Sequence, residues 1–184
     1  MRIIAGEAGS LKLLVPPSIT RPTTDRVREA VFSSLGNRLI EADVVDLFAG
    51  SGSLGLESLS RGARSAVFVD NNSASEKTIE ANLMSSRLKG GKFIRRDALS
   101  YLSSVPEAHF DIIFADPPYA RDEETTALLS AILDHEKLVK ALKPDGLLVL
   151  ETFAKAPVPD NPLWSSLKEK VYGKTRVSYL SPNS

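Results

Sequence analysis

Apolar residues recur along this chain with two different periods. The short runs Val44 to Phe48, Ala66 to Val69, Lys92 to Ile94, Phe110 to Ala115 and Leu147 to Leu150 have the length and β-branched or aromatic content of buried strands. Between them, residues 53–61, 73–88, 98–104 and 124–142 carry helical spacing. Upstream, Val27, Ala30, Val31, Ser34 and Leu35 fall at i, i+3, i+4, i+7 and i+8, which predicts an amphipathic helix capped by Asp25 and stopped by Gly36. Ile3 to Ala5 and Leu11 to Val15, separated by Gly6 and Gly9-Ser10 and closed by Pro16-Pro17, predict a small N-terminal β-hairpin. At the other end, Lys168 to Tyr172 and Thr175 to Leu180 flank Gly173-Lys174 and predict a closing antiparallel hairpin.

Strands that alternate with helices require crossover connections, and these place the strands parallel with helices on both faces. The expected fold is α/β and doubly wound, with a mostly parallel sheet. Its 184 residues fit one domain with a sizeable core, divided into an arm over residues 1–24 and a core over 25–184.

Composition narrows the chemistry. No cysteine is present, which excludes disulfides, zinc–thiolate clusters and every thiol nucleophile, including the one that pyrimidine carbon-5 methylation needs. No apolar run reaches 18 residues, so the expected location is the cytoplasm. Lys and Arg total 23 against 23 Asp and Glu, without the strong basic excess usual in proteins that grip naked nucleic acid. The first forty residues are biased: Arg2, Lys12, Arg21, Arg26, Arg28 and Arg38 stand against Glu7, Asp25 and Glu29. A layout of that kind can orient an anionic partner at one end.

The segment Asp46-Leu47-Phe48-Ala49-Gly50-Ser51-Gly52-Ser53-Leu54-Gly55 follows the first predicted core strand and opens a helix, where doubly wound sheets bind nucleotides. Glycines allow positive φ and a close backbone approach. By itself Gly50-x-Gly52-x-x-Gly55 suits NAD as well as other adenosine cofactors. Asp46, at the strand end, would face a cationic amino-acid group and repel a pyrophosphate. Asp70, ending the second strand, can accept both hydroxyls of a ribose, in charge-assisted bonds of about 1.5–3 kcal/mol each. Asp97 after the third strand can accept an adenine amino group, cap the next helix, or do both.

After the fourth strand comes Asp116-Pro117-Pro118-Tyr119. An exocyclic amine on a base is a poor nucleophile because its lone pair is delocalised into the ring. Acceptors aimed at its two hydrogens draw the nitrogen toward tetrahedral geometry. The Asp116 carboxylate and Pro117 carbonyl can supply them, since successive prolines lock φ. Tyr119 offers a face on which an extruded base can stack, a contact worth about 1–3 kcal/mol.

Together with Arg21-Pro22-Thr23-Thr24-Asp25-Arg26-Val27-Arg28-Glu29-Ala30 and Ser60-Arg61-Gly62-Ala63, these motifs resemble the bacterial 16S rRNA guanine-N2 methyltransferases. The likeness runs from Met1-Arg2-Ile3-Ile4-Ala5-Gly6 to Tyr172-Gly173-Lys174-Thr175. It implies a Rossmann-like, seven-stranded methyltransferase sheet, S-adenosylmethionine as cofactor and no metal. The implied target is a guanine in the P-site loop of the small ribosomal subunit, assembled or assembling, methylated by a monomeric enzyme. Asp46, Phe48, Gly50, Gly52, Asp70, Asn71, Asp97 and Ala98 are then expected in the cofactor pocket, Asp116 to Tyr119 on the target base, and Arg21, Arg26 and Arg28 near the RNA. Two other readings compete. Adenine N6, cytosine N4 and protein glutamine are alternative methyl acceptors, although DNA enzymes normally need a recognition insert for which this chain has no room. An NAD-dependent oxidoreductase shares the glycine spacing and Asp70 but finds no evident acid or base, because His109 and His135 fall just before a strand and within a predicted helix.

Overall fold

The computed structural model describes residues 1–17, 23–117, 123–156 and 158–183. They form two compact units, Met1–Ala98 and Leu99–Ser184. The first contains α1 (Asp25–Leu35), a 3-10 turn (Gly36–Leu39), β1 (Asp43–Leu47), α2 (Ser53–Ser60), β2 (Ser65–Asp70), α3 (Ser73–Ser86) and β3 (Gly91–Arg95). Its strands lie in the order β3-β2-β1 and are parallel throughout. Gly55 explains how closely α2 packs on β2: a Cβ there would sit 2.3 Å from the ring of the fully buried Phe68.

The start of α1 differs by one residue from the expected cap. Thr24 is the N-cap, its hydroxyl accepting from the Val27 amide at 3.4 Å, while Asp25 turns to Arg28 at 2.7 Å. Gly36 ends the helix as expected, with φ at +52°.

The expected N-terminal hairpin is present and short: beside the antiparallel bridge of Arg2 to Lys12, the Ile3 and Leu13 amides donate to the Leu11 and Met1 carbonyls at 2.9 and 3.2 Å. Its outer side is fastened to α2. The Ile4 amide, which points away from the partner run, and the Ala5 amide donate to the Glu57 carboxylate at 2.6 and 3.1 Å. Ser60 adds to this by donating to the Ala5 carbonyl at 2.6 Å and accepting from the Ala8 amide at 3.0 Å. Gly6 must be glycine, since its φ is +85° and a Cβ would overlap the Ser60 carbonyl.

The second unit holds β4 (Phe110–Ala115), α5 (Glu123–Leu133), α6 (Glu136–Ala141), β5 (Leu142–Phe153), β6 (Trp164–Tyr172) and β7 (Thr175–Pro182), with α4 (Ala98–Leu102) opening at its boundary. Its strands are ordered β4-β5-β7-β6; β4 and β5 are parallel, and β7 runs antiparallel to both its neighbours. The helix expected over 124–142 is two helices. At the break the Trp164 indole donates to the Leu133 carbonyl at 2.8 Å and Asn161 donates to Asp134 at 2.7 Å, so tertiary partners terminate α5. β5 starts before the run predicted for it and takes in Lys143 to Gly146 through a register shift opposite β4. The seven strands make a mixed α/β sheet with a parallel core and antiparallel C-terminal strands, which is the expected class. Among the described residues, no helix is long and apolar enough to cross a membrane.

Candidate functional site

β1 and β2 run parallel, so both deliver their C-terminal residues to the same edge of the first unit. Asp46, one residue before the end of β1, is 2% exposed. Its Oδ2 accepts from the Gly55 amide at 3.1 Å, which gives α2 the cap that Gly52 lacks. Burial pushes its carboxyl up to about 8; the nearby Asp70 charge adds to this, while the bonds from the Gly55 and Leu54 amides oppose it. The chain then turns tightly: Phe48, Gly50 and Gly52 have φ of +62°, +55° and +76°. The value at Phe48 is unusual for a bulky side chain and marks local strain of about 1–3 kcal/mol. Gly52 admits no side chain, because a Cβ would lie 2.9 Å from Ile79.

Asp70 ties the turn to β2. Its Oδ2 accepts from the Gly50 amide and its Oδ1 from the Asn72 amide, both at 2.8 Å. Each oxygen retains a second lone pair, which suits a vicinal diol. Asn71 is exposed beside it, and Asn72 caps α3 through the Ala74 amide at 2.8 Å. The Arg96 amide donates to the Asp70 carbonyl at 3.1 Å, bringing the loop after β3 alongside, with Asp97 exposed and Ala98 buried. All eight residues expected around a cofactor belong to the first unit.

A pyrophosphate does not fit this cradle. In a dinucleotide site the amides opening the helix after the glycine loop face the phosphates. Here the Asp46 carboxyl already occupies the Gly55 amide, which is therefore not available to a phosphate. A ligand with a ribose diol and a cationic amino-acid group suits both acids, so S-adenosylmethionine fits the residues present.

In the second unit Asp116 and Pro117 continue directly from β4; Asp116 is half-buried and Pro117 buried. Pro118 and Tyr119 lie outside the described residues, as does Arg21. Arg26 is exposed. Arg28 requires a correction: its side chain is wholly buried, bonded to Asp25 at 2.7 Å and to the Arg2 carbonyl at 2.5 Å, with Glu57 at 3.9 Å. The expectation that it lies near the RNA did not foresee the N-terminal arm, whose Arg2 carbonyl takes its guanidinium.

Two structural residues carried no motif. Glu57 gathers the Ile4 and Ala5 amides with Arg61, the last at 2.7 Å, and so fastens the arm to the helix behind the glycine turn. Asn82 is fully buried on α3; it accepts from the Leu14 amide at 2.8 Å and donates to the carbonyls of Leu14 at 3.0 Å and Ser51 at 3.1 Å. The only hint was an amide in the interior of a helical pattern, a position such residues usually avoid.

Comparison with known proteins follows the same lines. The family model described as "Conserved hypothetical protein 95" matches residues 1–181. "Ribosomal RNA small subunit methyltransferase D" of Escherichia coli (strain K12) is 37% identical over 178 residues, spanning 95% of this chain and 86% of that relative. The protein of the same name from Haemophilus influenzae is 35% identical over 179 residues, 94% of this chain and 89% of the relative. Among solved structures, "hypothetical protein TTHA0928" of Thermus thermophilus superposes with a TM-score of 0.80 at 28% identity, covering 98% of this chain and 99% of that one. With the match running almost from end to end, the chain belongs to the Conserved hypothetical protein 95 family.

Proposed function

We propose that this protein transfers a methyl group from S-adenosylmethionine to the exocyclic N2 of a guanine in 16S rRNA of the small ribosomal subunit. The carrying observation is the pairing of Asp46 on the Gly55 amide with Asp70 anchored on the glycine turn, an arrangement that supports a ribose and a cationic group better than a pyrophosphate. The ribosomal target rests on the relatives, which are named for methylation of the small subunit's RNA.

The cofactor supplies an electrophilic methyl group on a sulfonium, so the protein needs neither a metal nor a side-chain nucleophile. Asp70 binds the ribose hydroxyls, Asp46 balances the cationic amino-acid end, and Phe48, Gly50, Gly52, Asn71, Asp97 and Ala98 complete the pocket. Asp116 and the Pro117 carbonyl accept the two hydrogens of the target amine and draw its lone pair out of the ring; Tyr119 stacks on the base and Pro118 fixes the loop. Arg21 and Arg26 contact RNA. The 184 residues act as one catalytic domain, as a monomer in the cytoplasm, on assembled or assembling subunits.

The test is methyl incorporation into small subunits from cells that lack the modification, followed by mass spectrometry of the RNA. One N2-methylguanosine at a single position is expected. Methylation confined to adenine, cytosine or protein glutamine, or none at all, would overturn the assignment.

A further inference from the structure

The most concentrated positive charge in the sequence lies in the run that leads up to Asp97, and its first members have no role in the site just assigned. Residues 87–96 read Arg-Leu-Lys-Gly-Gly-Lys-Phe-Ile-Arg-Arg: five cations and no acid, while 18 basic and 23 acidic residues remain elsewhere. They run from the C-cap of α3 through the following turn and β3 to Arg96, and among the described residues β3 is an edge strand paired with β2 alone.

Packing accounts for the uncharged members of this run. Leu88 is buried, Gly90 has φ +85° with its Cα against the Arg64 carbonyl, and Gly91 faces Leu83 and Phe68. Packing does not account for the cations. Arg95 has a partner in Glu76 at 3.4 Å. Arg87, Lys89 and Lys92 are exposed, and none makes an ion pair among the described residues. Arg87 also stands against its backbone: it is the left-handed C-cap of α3 at φ +58°, a position that favours Gly or Asn. Protection of an open strand edge would explain one lysine on β3, not two further cations in the turn before it. The edge strand of the second unit is instead mixed, with Lys168 and Lys170 around Glu169, which lies 3.2 Å from Arg176.

From this we infer that the turn and edge strand around Arg87, Lys89 and Lys92 form a docking surface for the phosphate backbone of the substrate RNA. The inference rests on the RNA-methyltransferase reading and adds where the nucleic acid is held. It also answers how a chain of zero net charge grips a polyanion: five of its 23 cations are gathered in one acid-free run, where their field is not offset by neighbouring acids. Flexible side chains flanking two glycines suit contact with phosphates, which positions a nucleic acid without reading its sequence.

The test compares the full-length protein with the triple variant Arg87→Gln/Lys89→Gln/Lys92→Gln, and with the control Lys170→Gln/Lys174→Gln, two exposed lysines of the second unit. Filter binding to small subunits from cells lacking the modification is measured over a range of salt concentrations, beside S-adenosylhomocysteine affinity and melting temperature. The triple variant should lower the magnitude of the log K against log salt slope by about 2–3, since each lost phosphate contact removes about 0.7–0.9. Its KM for subunits should rise about tenfold or more, with unchanged cofactor affinity and kcat; the control should match wild type. An unchanged slope in the triple variant, or an equal loss in the control, overturns the assigned surface. Loss of slope in the triple variant when wild type transfers no methyl group to the RNA would instead count against the substrate reading alone.

Discussion

Asp46 lies one residue before the end of β1 and Asp116 directly after β4, and the two are placed very differently. Asp46 is buried and its carboxyl is raised to about 8, chiefly by desolvation. An unfolded Asp titrates near 3.9, so the native state holds a proton that the unfolded chain releases between these values. Stability from this group is therefore complete at low pH and is lost as pH rises from about 4 to about 8. Asp46→Asn should flatten the fall in melting temperature across that window, measured by calorimetry in matched buffers; an undiminished slope would assign the titration to another group. Asp116 is half-buried at the end of β4. If it accepts a hydrogen from the target amine, Asp116→Ala should lower kcat by about two orders of magnitude, as loss of one preorganised hydrogen-bonding partner does, with only a modest change in cofactor affinity. Single-turnover methylation at saturating cofactor reads that loss, and near-normal turnover would remove Asp116 from the chemistry. The residue types at both positions were legible in the sequence because each sits at a fixed offset from a strand end. The burial of Asp46 was not: it comes from α2 packing on β1, and no local pattern encodes it.

The helix after the glycine turn shows what such an element must satisfy. All eight residues of α2 are buried, and three polar ones are paired: Glu57 and Ser60 with the N-terminal arm, Ser58 with the Leu54 carbonyl at 2.8 Å. A helix enclosed on every side has no room for growth at its closest contact. Gly55→Ala, which places a methyl group inside the Phe68 ring edge, should cost about 1–3 kcal/mol through overpacking, set against a helix-propensity gain of up to about 1 kcal/mol. A drop of several degrees in melting temperature is expected for a chain of this size, and an unchanged value would show that Phe68 can move aside. Tertiary contacts also supply what the local pattern missed at this scale. The short N-terminal hairpin is fastened by its Ile4 and Ala5 amides to a carboxylate 53 and 52 residues away, and tertiary hydrogen bonds divide the expected single helix into α5 and α6.

For the molecule as a whole, the proposed cofactor should bind the native state and not the unfolded one. S-adenosylhomocysteine at about 100 times its Kd should then add about 2.7 kcal/mol of stability and raise the melting temperature by several degrees. NAD at the same concentration should leave it unchanged, because Asp46 and the glycine turn offer no place for a pyrophosphate; a comparable shift with NAD would reverse the cofactor assignment. What the sequence determined alone was what depends on periodicity and on offsets from strand ends: the α/β class, the parallel core, the closing hairpin, the glycine turn and the aspartates at Asp46, Asp70 and Asp116. The tertiary structure decided which polar groups are buried and what pairs with them, including Arg28 under the arm, Glu57 on its amides and Asn82 across to Ser51. Those partners are separated by tens of residues, and hydrogen bonds across such distances arise only when packing brings the segments together, so no local pattern can announce them.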